Sequence, residues 1–177
     1  MAATMETVLD PEKSYEIVNG QPEEKEVGGR HGVTSARLIG KLGVYLKTRK
    51  LGVVSAAANF KIGKNERIPD VAFVAAERIP PEGVPEGAWQ TPPDLAVEVI
   101  SPNDLHEKVG SKVLEYLEAG VRQVWLVSPE HRTVTIFRSQ TEVQVFARDS
   151  ELVSEDLLPG FRCLLKELFQ PPVHTQG

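Results

Sequence analysis

Glu98 is the residue whose type least fits its surroundings. It lies inside the run Leu95-Ala96-Val97-Glu98-Val99-Ile100, a pattern expected of a strand buried on both faces. An ionised carboxylate taken out of water there costs several kcal/mol unless a cation or dense hydrogen bonding compensates it. An edge strand, or a simple ion pair with a lysine, would also satisfy it. Asp70 is a second case: it opens Asp70-Val71-Ala72-Phe73-Val74 directly after Pro69, although Pro-Asp taken alone commonly starts a strand or caps a turn. If the two strands are neighbours, the two carboxylates converge on one point of a sheet. Such a pair suits Mg²⁺ or Mn²⁺, which take hard oxygen ligands and keep several waters. A divalent cation activates water as a nucleophile and offsets charge developing on a phosphate. Lys112, on the flank of the helix after Glu98, is the expected third member, orienting the water or steadying the transferred phosphate. Lys108, one turn earlier, reads as part of a solvated face, and Asp94 as punctuation before the strand of Glu98.

These side chains need a sheet with helices on it. Ser14–Val18 and Gln21–Val27 flank Asn19-Gly20, the strongest short hairpin signal because both residues tolerate positive φ. Apolar residues at Val33, Ala36, Leu38, Ile39, Leu42, Val44, Tyr45 and Leu46 recur near a period of 3.6. They predict an amphipathic helix over Arg30–Thr48, weakened by Gly40 and Gly43. Strands are expected at Val53–Phe60, Asp70–Ala75, Leu95–Ile100 and Val121–Val127. A Pro- and Gly-rich loop spans Pro80–Pro93, a length typical of functional or mobile loops. Between the last two strands a helix is expected, capped at Ser101-Pro102-Asn103-Asp104 and closed by Gly120. A hairpin (Val134–Arg138, Glu142–Ala147) and a short helix (Cys163–Phe169) complete the chain. The expected class is α/β: a mixed sheet flanked by helices, forming one domain over 1–177 with flexible ends at 1–13 and 171–177.

Composition limits the function. The chain has 177 residues, 20 Lys+Arg against 25 Asp+Glu, a net charge of −5, and a hydrophobic fraction of 41%. That is too apolar for a disordered chain. It is too acidic for a protein that simply coats nucleic acid, since such domains carry a basic stripe. The longest basic cluster is Lys47-Thr48-Arg49-Lys50. One cysteine, Cys163, makes no internal disulfide, so a reducing cytoplasm is expected. No stretch has the roughly 20 apolar residues of a membrane helix, and the N-terminus has no signal-peptide pattern. Gly28-Gly29-Arg30-His31-Gly32 lacks the Lys-Ser/Thr of a P-loop. Cys163 reads as an inert thiol and Trp125 as core.

The set of Pro69-Asp70, Glu98 in an apolar strand and a helix lysine resembles the PD-(D/E)XK nuclease superfamily, whose core order is αβββαβ. It is most similar to the bacterial branch labelled "putative restriction endonuclease". The resemblance runs through Tyr15-Glu16-Ile17-Val18-Asn19-Gly20, His31 and Arg67-Ile68-Pro69-Asp70-Val71-Ala72-Phe73-Val74. It continues in Asp94-Leu95-Ala96-Val97-Glu98-Val99-Ile100-Ser101-Pro102, Lys112, Tyr116, Gly120-Val121 and Trp125-Leu126-Val127, covering roughly 14–165. It implies Asp70 and Glu98 as ligands of Mg²⁺ (or Mn²⁺) and Lys112 as catalytic lysine. Glu16 and His31 line the site in that reading; alone, Glu16 reads as a solvated strand residue and His31 as a helix-start hydrogen bonder. The position two after Glu98 is Ile100, where the parent pattern has lysine, so the lysine would come from the following helix. The expected function is a Mg²⁺-dependent endonuclease acting on nucleic acid, with DNA first, as a homodimer. The alternative is a catalytically silent nuclease fold used for binding or assembly. A paired-carboxylate glycosidase ranks below both, because no aromatic sugar platform stands near either acid.

Overall fold

Asn19 and Gly20 adopt the positive φ their types favour, 51° and 78°, and join β1 (Tyr15–Val18) to β2 (Gln21–Glu24) as an antiparallel hairpin. The computed structural model describes residues 9–25, 28–101 and 104–170. The expected flexible ends lie largely outside the described residues, as do positions 26–27 of the expected second strand. Residues 9–13 are described, and Lys13 N–H donates to the Asp10 carbonyl at 3.1 Å in a turn there.

α1 (Gly29–Leu46) follows the predicted period and buries Leu38, Leu42 and Tyr45. It runs unbroken through Gly40 and Gly43. β3 (Gly52–Ala56), β6 (Val71–Ala75), β7 (Leu95–Val99), β8 (Gln123–Ser128), β9 (Thr133–Phe137) and β10 (Val143–Ala147) form a six-stranded sheet in the order β10-β9-β8-β7-β6-β3. Within this sheet, among the described residues, β7 and β8 pair in parallel and the other neighbours are antiparallel. The crossover between β7 and β8 is α2 (His106–Glu118), because parallel neighbours need a long connection. With α1 in front, the main-sheet order is αβββαβ, in the α/β class expected.

The central strands are apolar on both faces because both are covered. Val71, Phe73, Val97, Trp125 and Val127 pack with Leu38 and Leu42 of α1 and with α3 (Leu165–Leu168). Ala72, Val74, Ala96 and Val124 pack with Val113 and Tyr116 of α2 and with Phe60, Ile62 and Trp89. Phe60–Ile62 is β4, and with β5 (Asn65–Arg67) it joins the first hairpin in a second sheet, β2-β1-β5-β4.

Three expectations are corrected. The strand expected at Val53–Phe60 is two strands in different sheets, parted where Ala57 takes a φ of 47°, a conformation alanine rarely adopts. The helix expected at Cys163–Phe169 begins as β12 (Arg162–Leu164), paired with β11 (Glu151–Val153), and only then turns into α3. α2 starts at His106 with no side-chain cap. Asp104 instead accepts the Ser101 N–H at 2.6 Å while its own N–H reaches the Ser101 carbonyl, so this segment closes a turn of its own. Pro102 and Asn103 lie outside the described residues. The long loop is pinned by Trp89, which is buried and stacks on Phe60 with ring centroids 5.7 Å apart.

At Gly52 the space for a side chain is contested. Its φ is 150°, and a Cβ there would lie 2.1 Å from the Val74 carbonyl oxygen. Bare backbone is what lets β3 sit against β6.

Candidate active site

β6 and β7 are antiparallel, with Val71 opposite Val97. The residue before β6 therefore falls across from the penultimate residue of β7, which brings Asp70 to Glu98. Asp70 N–H donates to the Val97 carbonyl at 2.9 Å, and Asp70 Oδ2 accepts the Val99 N–H at 2.7 Å. The strand ladder thus fixes the aspartate by its backbone and by its carboxylate.

α2 covers the face of β7 that bears Ala96 and Glu98. Lys112 and Tyr116 are one helical turn apart and project from the same stripe. Lys112 Nζ lies 3.0 Å from Glu98 Oε1, and the Tyr116 hydroxyl donates to the same oxygen at 2.6 Å. Gly120, at a φ of 93°, ends the helix, and the Val121 N–H reaches back to the Tyr116 carbonyl at 3.0 Å. The helix end is therefore tied down about two turns beyond the lysine.

The second sheet supplies the rest. Glu16 on β1 is buried, not solvated. Its Oε1 accepts from Lys112 Nζ and from the Ile68 N–H, both at 2.9 Å, and its Oε2 accepts from Arg67 at 3.0 Å. Arg67, at the end of β5, also donates to Glu115 of α2. His31, in the first turn of α1, places Nε2 2.6 Å from Asp70 Oδ2. That nitrogen is buried and meets no acceptor in hydrogen-bond geometry among the described residues. Lys25, just past β2, lies 2.7 Å from Asp70 Oδ1 and 3.7 Å from Glu98 Oε2, and its ammonium also donates to the Ile68 carbonyl. The structure thus gathers all five residues singled out in the sequence: Asp70, Glu98, Lys112, Glu16 and His31.

Charge explains how three carboxylates share this space. At an effective dielectric of about 20, a unit pair about 3 Å apart gains about 5 kcal/mol, comparable to the desolvation cost of one ion. One partner per carboxylate would only break even, and each has more: Lys25 and Lys112 for Glu98, Lys112 and Arg67 for Glu16, and for Asp70 Lys25 together with the Val99 N–H and the adjoining His31 ring. Burial pushes the Asp70 carboxyl up, but contact with His31 and Lys25 outweighs it and holds the group below the ordinary range. Glu16 is likewise held low by Lys112 and the Ile68 N–H against burial. Burial pulls Lys112 down, yet Glu98 and Glu16 keep it above its ordinary value. The Tyr116 phenol is pushed well up by burial and by Glu98, so it stays a proton donor. Burial opposes the charge on Arg67, but Glu115 and Glu16 raise it further still.

A divalent cation fits the donor set. The carboxylates of Asp70 and Glu98 reach one ammonium, so they share a point where positive charge sits. Two carboxylates with other positions left to water are an ordinary Mg²⁺ arrangement. Among the described residues no group of three or more His, Cys, Asp and Glu side chains gathers as a metal cage, so the acid pair would carry the ion. The cluster forms the floor of a cleft of about 940 Å³ lined by Glu16, Lys25, His31, Glu98 and Lys112, with Glu23, Glu107 and Glu130 also on its walls.

Lys25 and Arg67 were not foreseen. Lys25 sits in Glu23-Glu24-Lys25-Glu26, which reads as a solvated run, and Arg67 in a strand too short to show alternation. Asp94 stays outside the site, as expected: it is buried at the opposite end of β7, accepts the Ala75 N–H at 2.8 Å and pairs with Arg78. Lys108 is exposed, 3.7 Å from Glu23 at the surface. Trp125 is fully buried, and the buried thiol of Cys163 is pushed up by its burial.

A crystal structure titled as a putative nuclease belonging to DUF820, from Anabaena variabilis ATCC 29413, superposes with a TM-score of 0.81. The match is 23% identical and covers 92% of this chain and 93% of that one, so the likeness is one of fold. No curated protein matches the chain. Among the described residues no helix is long and apolar enough to cross a membrane. The family model described as "Uma2: Putative restriction endonuclease" matches residues 3–166, and the chain belongs to that family.

Proposed function

We propose that the protein is a divalent-metal-dependent endonuclease that hydrolyses phosphodiester bonds in nucleic acid, with DNA as the leading substrate. The observation that carries this reading is the convergence of Asp70 and Glu98 on one cation position, with Glu98 and Lys112 paired at the floor of an open cleft. Asp70 and Glu98 would hold Mg²⁺ or Mn²⁺, which supplies activation of the attacking water and charge compensation for the phosphate. Lys112 orients that water or meets the charge that builds on the phosphoryl oxygens. Tyr116 and Glu16 position the two reacting groups: one donates to Glu98, the other holds the Lys112 ammonium. His31 restrains Asp70 from the side away from Lys25. Hydrolysis adds water across one P–O ester bond, leaving a hydroxyl and a phosphomonoester end.

In this reading the protein works in the reducing cytoplasm that its lone cysteine suits, and two copies act together. β10 is the sheet edge, with Val143 and Val145 exposed, and offers a surface for the second copy. Sedimentation of the purified chain as a monomer at micromolar concentration contradicts that part alone.

A second reading is favoured by one observation: each carboxylate is already compensated by two partners, as in a fold that binds without turnover. Incubating wild type, Asp70→Asn, Glu98→Gln and Lys112→Met with single- and double-stranded DNA and RNA, in Mg²⁺ and in Mn²⁺, separates the two. Cleavage by wild type that drops at least ~100-fold in each acid variant supports the nuclease. Equal activity in wild type and both acid variants overturns it, and no cleavage by any of them favours the binding fold.

A further inference from the structure

Lys25 has no part in the chemistry derived above, yet it touches both acids. Its ammonium lies 2.7 Å from Asp70 Oδ1 and 3.7 Å from Glu98 Oε2 and donates to the Ile68 carbonyl. Three oxygens from two segments, the stretch Ile68–Asp70 and β7, therefore surround one nitrogen: two carboxylate and one main-chain carbonyl. That is the oxygen chemistry hard divalent cations take. The lysine comes from the polar chain just past β2, outside the main sheet that fixes Asp70 and Glu98. Its side chain lines the cleft, as Glu98 does, but it is carried by chain outside the main sheet, whereas the two acids are fixed by the strand ladder and by α2.

We infer that Lys25 is a built-in stand-in for the divalent cation: it holds the Asp70–Glu98 cage together without metal and must be displaced into the cleft when metal binds. This rests on the metal-site reading under Proposed function and adds the exchange. Both cations cannot share the cage. Divalent binding is accordingly weakened by whatever the ion pair with Lys25 contributes, since ligand binding must work against the state that excludes it. The displaced ammonium then stands over the open side of the cleft, among Glu23, Glu24 and Glu130. There it adds positive charge to a wall whose acids are already paired, Glu23 with Lys108, Glu24 with Lys13 and Glu130 with Arg30, and so favours a polyanion. Metal loading and readiness for nucleic acid are thereby linked through one side chain.

The test is binding and reactivity, not turnover. Titration calorimetry with Mn²⁺ compares wild type with Lys25→Met and Lys25→Gln, using Asp70→Asn as the control for the site. Tighter binding by at least ~10-fold in both Lys25 variants is expected, about 1.4 kcal/mol, and equal or weaker binding overturns the exchange. If neither wild type nor the Lys25 variants bind Mn²⁺, the metal-site reading falls too, which separates the two failures. Amine acylation, read by mass spectrometry, compares the same folded wild-type protein with and without metal. Lys25 should be protected in chelator and become several-fold more reactive at saturating Mn²⁺, with no such change in Asp70→Asn. Unchanged reactivity at saturating Mn²⁺ overturns the inference.

Discussion

The Tyr116 hydroxyl and Glu98 are joined by a 2.6 Å hydrogen bond made in full burial, on the same carboxylate oxygen that Lys112 approaches. A hydrogen bond to a charged acceptor contributes about 1.5–3 kcal/mol. Tyr116→Phe keeps the ring in the core and removes only that bond. The variant should unfold about 1–2 kcal/mol more easily in urea, because Glu98 keeps its two cations. Its cleavage rate should fall by about tenfold, with substrate binding little changed, as expected of a positioning residue.

Lys112 is the bridge between Glu16 and Glu98. Removing one partner of a buried ion pair leaves uncompensated charge and costs about 3–5 kcal/mol. Lys112→Met should therefore lose both activity and several kcal/mol of stability in denaturant melts. The double variant Lys112→Met/Glu16→Gln should recover part of the stability and none of the activity. A double variant less stable than the single one contradicts the pairing.

Asp70 and Glu16 have carboxyls held below their ordinary values of 3.8 and 4.5. A depressed folded-state value gives stability that is fully present above the unfolded value and is lost as pH falls through the folded one. In chelator, the urea midpoint should stay level down to about pH 5 and then decline towards about pH 2. Asp70→Asn removes one of the two titrations, so its decline should be shallower. Identical slopes for the two proteins would count against Asp70 as an ionised member of the cluster.

Gly40 lies on the exposed side of α1, and a Cβ there would meet nothing within 4 Å. Gly40→Ala should raise stability by about 0.5–1 kcal/mol through helix propensity alone. Thermal melting checks it. Gly52→Ala should do the reverse, since its Cβ would collide with the Val74 carbonyl.

The acidic balance also predicts how substrate is held. The run Lys47-Thr48-Arg49-Lys50 follows the C-terminal end of α1, about 27 Å along the helix from the cleft end. It therefore cannot neutralise phosphates at Asp70. Retention of DNA should be weak without divalent cation and fall steeply with salt. Fluorescence anisotropy across a salt series, in chelator and in Ca²⁺, measures both.

Glu98 and Asp70 were legible because a carboxylate in an apolar strand must be compensated, and that requirement is written in the local sequence. Lys112 followed from its place on the flank of the helix after Glu98, the order of elements and the buried core at Trp125 and Leu38 from hydrophobic periodicity, and the family resemblance agreed with both. Glu16 and Lys25 were not legible from their neighbours. Each stands in a short polar stretch whose burial is created by another sheet, a long-range fact that no window of the chain contains. The break at Ala57 was hidden for a related reason: tertiary pairing holds an alanine at positive φ where no turn residue announces it. The three-residue strands β5 and β11 fall below the length at which alternation can be read.

The central claim is that Asp70 and Glu98 are one cation site. Anomalous scattering from crystals soaked in Mn²⁺ tests it most directly. The account predicts a peak about 2.0–2.2 Å from a carboxylate oxygen of each residue, with the Lys25 ammonium moved out of the cage. No peak at the acid pair in fully soaked crystals, with Lys25 still between Asp70 and Glu98, would contradict it.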